Sequence, residues 1–142
     1  MHVKRIDHVG IAVADLAAAK RVYEDLLGLR LTREEVVEEQ GVRTHFYPIA
    51  GVKLELLESI TPDGPIARHL EKKGAGMQHL AVEVDDVEAA IRELKAKGVR
   101  MLDETPRRGV EGTRIAFVHP KDTHGVLLEL VELPKLSATR AR

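Results

Sequence analysis

A chain of 142 residues is one ordinary domain by length, long enough to bury a single sizeable core. Its 22 basic and 23 acidic residues leave a formal net charge of −1, so no global field recruits nucleic acid or an anionic membrane. The absence of cysteine excludes disulfides, thiolate nucleophiles and Cys-ligated zinc, while the lack of an apolar signal core or membrane-length run makes a cytosolic location the expectation.

Val3 to Val13 alternates with the period of a strand, placing Ile6, His8, Gly10 and Ala12 on one side and Asp7, Val9, Ile11 and Val13 on the other. His8 therefore projects from a side lined by small residues. Asp15 suits an N-cap, and Leu16, Ala19, Val22, Tyr23, Leu26 and Leu27 recur at helical spacing up to Gly28. This spacing predicts an amphipathic helix of about three turns. Leu29 to Glu39 reads as a long half-exposed strand, Gln40-Gly41 as a turn, and Val42 to Ala50 as the next strand. Ala50-Gly51 turns into Val52 to Glu58, where Lys53, Glu55 and Leu57 share a face. The order is thus β-α-β-β-β over residues 3–58. A loop rich in turn residues follows, and residues 65–73 predict a short linking helix.

Residues 76–133 repeat that order. A strand from Met77 to Val84 leads to a helix from Val87 to Lys97 and a strand from Val99 to Asp103. After the loop Arg107 to Gly112, strands run from Thr113 to His119 and from Val126 to Leu133. Pro134 stops the last strand, and residues 134–142 are expected to form a frayed tail. No low-complexity linker separates the halves, so one compact domain over residues 1–142 is expected.

The repetition extends to particular residues. Gly76 to Val84, GMQHLAVEV, matches Arg5 to Val13, RIDHVGIAV, with His79 falling where His8 falls. The closing strands, VKLELLE from Val52 and VLLELVE from Val126, match as well, so Glu55 and Glu129 correspond. A unit used twice makes paired modules rather than a solenoid, which needs at least about three repeats to bury a core.

Imidazole and carboxylate are the ligands expected for a borderline divalent transition metal where no thiolate is present. A pseudo-twofold arrangement of the modules would bring His8, Glu55, His79 and Glu129 together around one divalent ion per chain, and cobalt, manganese, nickel, zinc and iron all suit that set. A single strand histidine is more often structural than a ligand, but two His and two Glu at equivalent places of a repeat reverse the balance. Glu129 also lies in Val-Leu-Leu-Glu-Leu-Val, where an unpaired carboxylate facing the core would be costly. His2, His45, His69, His119 and His124 lack a symmetric counterpart and are expected in surface or turn roles.

The paired modules resemble the vicinal oxygen chelate, or glyoxalase, superfamily. The finer motifs resemble its methylmalonyl-CoA epimerase family from Arg5 to about Leu133: IDHVGIAV at Ile6, GPIA at Gly64, GMQH at Gly76, DETPRRG at Asp103 and HPKDTHGVLLEL at His119. The last is the most specific; the first alone indicates only the superfamily. The resemblance implies an α+β fold in which two paired β-α-β-β-β modules form a curved, partly open barrel around a metal site. It implies His8, His79 and Glu129 as ligands, with Glu55 at a fourth position that is Gln in some members. The implied activity interconverts (2R)- and (2S)-methylmalonyl-CoA through proton abstraction and return at C2, which calls for two acid/base groups on opposite faces. Glu129 is the first choice and Glu55 the second. Some members carry a proposed catalytic Glu where this chain has Thr44, so Glu38, Glu39 or water remain alternatives for the second base. Arg107, Arg108 and Lys121 are candidates for the coenzyme A phosphates, and a homodimer is implied, with an open sheet edge expected in each module that pairing could cover.

Three rival activities use related sites. A glyoxalase I would use the same ligand types, but the segment at His119 favours the epimerases. An extradiol dioxygenase would use two His and one Glu around iron, yet the chain lacks the length and aromatic lining expected around a catechol. A metal-free binding protein of the same fold would have no use for all four candidate ligands.

Overall fold

The computed structural model describes residues 1–135, and the expected frayed tail falls mostly outside them. The chain forms two compact units, one of residues 8–78 and the other of residues 1–7 with residues 79 onward. Strands β1 (Val3–Ala12) and β5 (Gly76–Val84) each cross from one unit to the other. No helix among the described residues is long and apolar enough to cross a membrane.

In the first unit, α1 (Leu16–Lys20) follows β1 and continues as a π-helical turn over Arg21–Leu26. Then come β2 (Arg33–Val37), β3 (Val42–Ile49), β4 (Val52–Ser59) and α2 (Pro65–Lys73). The strand order is β2-β3-β4-β1, antiparallel except for the parallel pair β1–β4. The second unit has β5, α3 (Val87–Ala96), β6 (Arg107–Arg108), β7 (Arg114–Val118) and β8 (Leu128–Glu132). Its order β6-β7-β8-β5, with β5–β8 the parallel pair, repeats the first.

Each sheet packs one face against its helix. Val13, Leu16, Tyr47 and Leu56 form that core in the first unit, and Val84, Val87, Ala90, Ile91, Ala116, Val118 and Leu130 form it in the second. The helices start at equivalent caps: the Asp15 carboxylate accepts from Ala17 N at 2.9 Å and that of Asp86 from Ala89 N at 3.0 Å. A second carboxylate reaches each start from the sheet. Leu16 N donates to Glu58 at 2.9 Å, and Val87 N donates to Glu132 at 2.9 Å. Glu58 and Glu132 stand three residues after Glu55 and Glu129, and the strand period of two therefore sends the members of each pair to opposite faces. The cross-strand arginines Arg43 and Arg114 pair with the capping carboxylates at 3.2 and 3.6 Å.

Three expected elements differ. The first helix does not present a continuous apolar stripe, because i→i+5 hydrogen bonding such as Leu27 N to Val22 O at 2.9 Å under-winds it. Tyr23 and Ala19 stay on the core while Val22, Leu26 and Leu27 turn outward, at 44%, 66% and 61% exposure. The long strand from Leu29 shortens to β2, because Leu29 and Leu31 pack into the helix-side core instead of extending the ladder. The strand at Val99 to Asp103 reduces to a single bridge between Met101 and Val118. There the Asp103 side chain accepts Phe117 N at 2.8 Å in place of the next backbone partner, and strand pairing resumes only at β6, after Pro106.

Glu132→Ala should remove the acceptor of a buried helix-start N–H and cost about 1–3 kcal/mol of unfolding free energy, measured by denaturant titration. An unchanged midpoint would show that this carboxylate does not pin α3.

Candidate metal centre

The ligand candidates arise from the sheet faces turned away from α1 and α3; in the first unit α2 packs Ile66 and Leu70 on the end of that face, against Ala12, Val42 and Leu57. In the first unit, the parallel register places Gly10 opposite Glu55, with His8 two residues earlier on the same side of β1. The small residue at Gly10 leaves room for the carboxylate and imidazole to meet, and His8 Nδ1 lies 3.5 Å from Glu55 Oε2. In the second unit, Ala81 stands opposite Glu129, His79 precedes it by two residues, and His79 Nε2 lies 3.2 Å from Glu129 Oε1. Gly10 and Ala81 are equivalent in the repeat, so each half builds the same pair by the same device. All four side chains are buried: His8 4%, Glu55 6%, His79 7% and Glu129 6% exposed.

The donor chemistry fits a divalent cation. Two carboxylates withdrawn from water are costly unless a cation compensates them, and neutral imidazoles complete a nitrogen and oxygen set suited to a borderline metal. His8, His79 and Glu129 make up a candidate metal-binding group.

The chain has only two phenylalanines, and each stands directly across the sheet from one of the two glutamates: Phe46 opposite Glu55 and Phe117 opposite Glu129. The His79 ring meets Phe117 edge-on, with centroids 6.0 Å apart. A guanidinium covers each phenyl ring, Arg33 at 4.3 Å over Phe46 and Arg107 at 5.1 Å over Phe117. Each arginine also has an acidic partner, Glu35 at 3.1 Å from Arg33 and Asp103 at 3.1 Å from Arg107.

Of the basic residues singled out in the sequence, Arg107 belongs to this wall. Arg108 follows it on β6 and is exposed, and Lys121 lies exposed in the 3-10 turn Pro120–Asp122. Thr44 is buried on β3, opposite Leu57 on one side and Glu35 on the other, on the face that carries Glu55. Glu38 and Glu39 lie exposed in the turn after β2. Arg33, Phe46 and Phe117 carry no motif in the sequence; the one signal for them is a phenylalanine in the strand beside each glutamate.

His45 is a correction. Far from a surface or turn position, it is 8% exposed on β3, and its Nε2 lies 2.6 Å from Glu34 Oε2. The hydrogen bond from His45 holds the Glu34 carboxyl below its ordinary range. His45 lies on the opposite face from Thr44 and Phe46, so the buried imidazole is a hydrogen-bond partner of Glu34 on the helix side of the sheet. His119 and His124 do occupy turns: His119 Nδ1 accepts Lys121 N at 3.1 Å, and His124 has φ 57.

The sequence pattern of the glyoxalase/bleomycin resistance protein/dioxygenase superfamily matches residues 7–117. Human mitochondrial methylmalonyl-CoA epimerase is 42% identical over 127 residues, 89% of this chain and 72% of that protein. The methylmalonyl-CoA epimerase of Mycobacterium tuberculosis is similar in structure, with a TM-score of 0.86 and 46% identity over 96% of this chain and 93% of the other. A single-residue variant of the Streptomyces coelicolor methylmalonyl-CoA epimerase, in complex with 2-nitronate-propionyl-CoA, gives a TM-score of 0.89 at 42% identity, covering 96% of this chain and 99% of its own.

Proposed function

Because the chain belongs to the glyoxalase/bleomycin resistance protein/dioxygenase superfamily, and its fold is the α+β glyoxalase-like one, we propose that it interconverts (2R)- and (2S)-methylmalonyl-CoA. The observation that carries this reading is the pair of buried His–Glu sets, His8 with Glu55 and His79 with Glu129, at equivalent places of the repeat. They occur in a chain 42% identical to an epimerase of that substrate. A metal-free binding protein would have to bury two carboxylates without the cation that compensates them.

The proposed site takes one divalent ion, with His8, His79 and Glu129 as ligands and Glu55 as the fourth. Bound there, such an ion supplies Lewis-acid stabilisation of charge developing on the thioester oxygen. The proton between the thioester carbonyl and the carboxylate is the acidic one. Glu129 accepts it from C2, and the electron pair left behind delocalises into the thioester carbonyl. Glu55, at the equivalent place of the other repeat and carrying a proton when the substrate binds in this direction, gives that proton to the opposite face, so the C–H bond broken on one side is remade on the other and the two glutamates exchange protonation states, ready for the reverse reaction. The apolar neighbours of both glutamates, Leu54 and Leu56 on β4 and Leu128 and Leu130 on β8, keep these positions within packed strands. Arg108 and Lys121, both exposed, remain candidates for the coenzyme A phosphates.

The reading includes a cytoplasmic location, since a multiply charged CoA thioester does not cross an apolar bilayer unaided and must be met where it is made. It also includes a homodimer. The outer strand β2 is short and carries Arg33, Glu34 and Glu35, which disfavours edge pairing. The exposed Val22, Leu26 and Leu27 support assembly through the helical face instead. Sedimentation at micromolar concentration should give twice the chain mass, and a monomer would count against this assembly.

Equilibrium dialysis should find one divalent ion per chain in the parent protein and in His45→Ala. The His8→Ala, His79→Ala double variant should lose it; full occupancy there would remove the proposed ligands. Glu129→Gln is nearly isosteric, so the fold should persist while C2 proton exchange in deuterated water falls on the order of 10²-fold or more. Parent-like exchange in metal-loaded Glu129→Gln would reject Glu129 as a base.

A further inference from the structure

We propose that α2 binds the phosphates of the coenzyme A portion of the substrate, with Arg68 and Lys72 as the principal contacts and Lys73 beside them. This rests on the epimerase reading above, which makes the substrate a CoA thioester.

α2 differs from the other helices in how its charges are arranged. Along the first helix and α3, residues four apart carry opposite signs: Lys20 with Glu24 at 4.0 Å, Glu88 with Arg92 at 3.5 Å and Glu93 with Lys97 at 3.8 Å. In α2 the corresponding residues are Arg68 and Lys72, two cations on successive turns of one face, an arrangement that weakens a helix by itself. Lys73 stands four residues from His69, and burial together with the Lys73 charge holds that imidazole below its ordinary range. Arg68, Lys72 and Lys73 are exposed, and among the described residues none has an ion-pair partner; Glu71, the one acid of the helix, does not supply one. The negative end of the helix accounts for cations in its last turn, Lys72 and Lys73, but not for Arg68, which precedes that turn.

The position of α2 relates this charge to the site. Ile66 and Leu70 pack against Ala12, Val42 and Leu57, and Leu57 follows Glu55 by two residues on the same face of β4. Arg68 and Lys72 fall on the side of the helix turned away from Ile66 and Leu70, so they stand one helix diameter, about 10–12 Å, above the face that bears Glu55. The pantetheine arm between thioester and phosphates is as long as an extended tetrapeptide, about 14 Å. A thioester at Glu55 can therefore lay its phosphates on α2.

The occupant follows from the charge. Cations crowded together without acids suit a multiply charged anion, and a formal net charge of −1 for the whole chain leaves only such local clusters to attract one. Arg68 offers parallel N–H groups to phosphate oxygens, and the lysines add mobile point charges. Arg108, on β6, and Lys121, in the Pro120–Asp122 turn, each lack a second unpaired cation beside them in the chain.

Malonyl-CoA and malonylpantetheine share the acyl group and the arm, but only the first has phosphates, so calorimetric binding of the two isolates the contact. The metal-loaded parent protein should bind malonyl-CoA at least about tenfold more tightly, as charge-assisted contacts to phosphate imply, and added salt should shrink the difference. The Arg68→Gln, Lys72→Gln, Lys73→Gln variant should bind both ligands equally while keeping the parent's malonylpantetheine affinity and helical circular dichroism. Lys72→Gln alone should lose part of the preference and decides the matter if the triple variant does not fold. Arg21→Gln, Arg30→Gln, which removes exposed cations outside α2, should keep the preference. An unchanged preference in the α2 variants, an equal loss in the Arg21 and Arg30 variant, or a loss confined to Arg108→Gln, Lys121→Gln would overturn the assignment. A parent protein that binds both ligands equally would overturn it while leaving the epimerase reading intact; one that binds neither would overturn both.

Discussion

The alternation of side chains along β4 and β8 is the constraint on which the rest depends. In each strand a Glu-x-x-Glu segment sends its first carboxylate to the face away from α1 or α3 and its second under that helix's start. The two roles cannot be adjusted separately. A one-residue slip of either strand would turn Glu55 or Glu129 into the helix-side core and expose the cap together with it. Leu56 and Leu130, fully buried between the two acids, fix the register through packing, so the helices α1 and α3 in effect aim the ligand candidates.

The same economy explains how so many charges are buried in a chain of this size. Glu58 and Glu132 have backbone N–H groups and arginines as partners, and His45 has Glu34. On the helix-side face the carboxylates of Glu58 and Glu132 are compensated within their own units by hydrogen bonds that the fold needs anyway. Asp122 behaves likewise on the surface. Arg100 donates to it from its backbone and its guanidinium, holding the carboxyl well below its ordinary range and anchoring the turn that precedes β8. The ligand faces follow another rule, since there the carboxylates lie beside imidazoles whose charge depends on protonation.

What was legible in the sequence is what the repeat states twice. His8 and His79, Glu55 and Glu129, the Asp caps and the strand order are readable because equivalent residues occur at equivalent distances, and strand period converts position into facing. The stacking of Arg33 on Phe46 is illegible for the opposite reason: it comes from the register of β2 against β3, and the matching contact of Arg107 with Phe117 comes from a different register. The misread strand at Val99 failed because one side chain, Asp103, took over a backbone hydrogen bond. Hydrophobic spacing cannot report the i→i+5 bonds of the first helix, since the same residues satisfy a helical template whether or not the chain under-winds. His45 has no counterpart in the repeat and is buried all the same, because a cross-strand glutamate is sufficient reason to bury a histidine.

The duplicated design also bears on stability. Each unit compensates its helix-side charges internally, but a proposed ion drawing ligands from both repeats would complete what neither His–Glu pair completes alone. Binding to the folded state and not to the unfolded chain stabilises the fold by an amount that grows with ion concentration over dissociation constant. Two buried carboxylates would then cost most where the ion is absent and least where it is bound. Metal affinity and folding stability become one linked quantity, and a substitution that improves the apolar packing around Glu55 or Glu129 at the expense of either carboxylate would stabilise the metal-free chain while removing the chemistry.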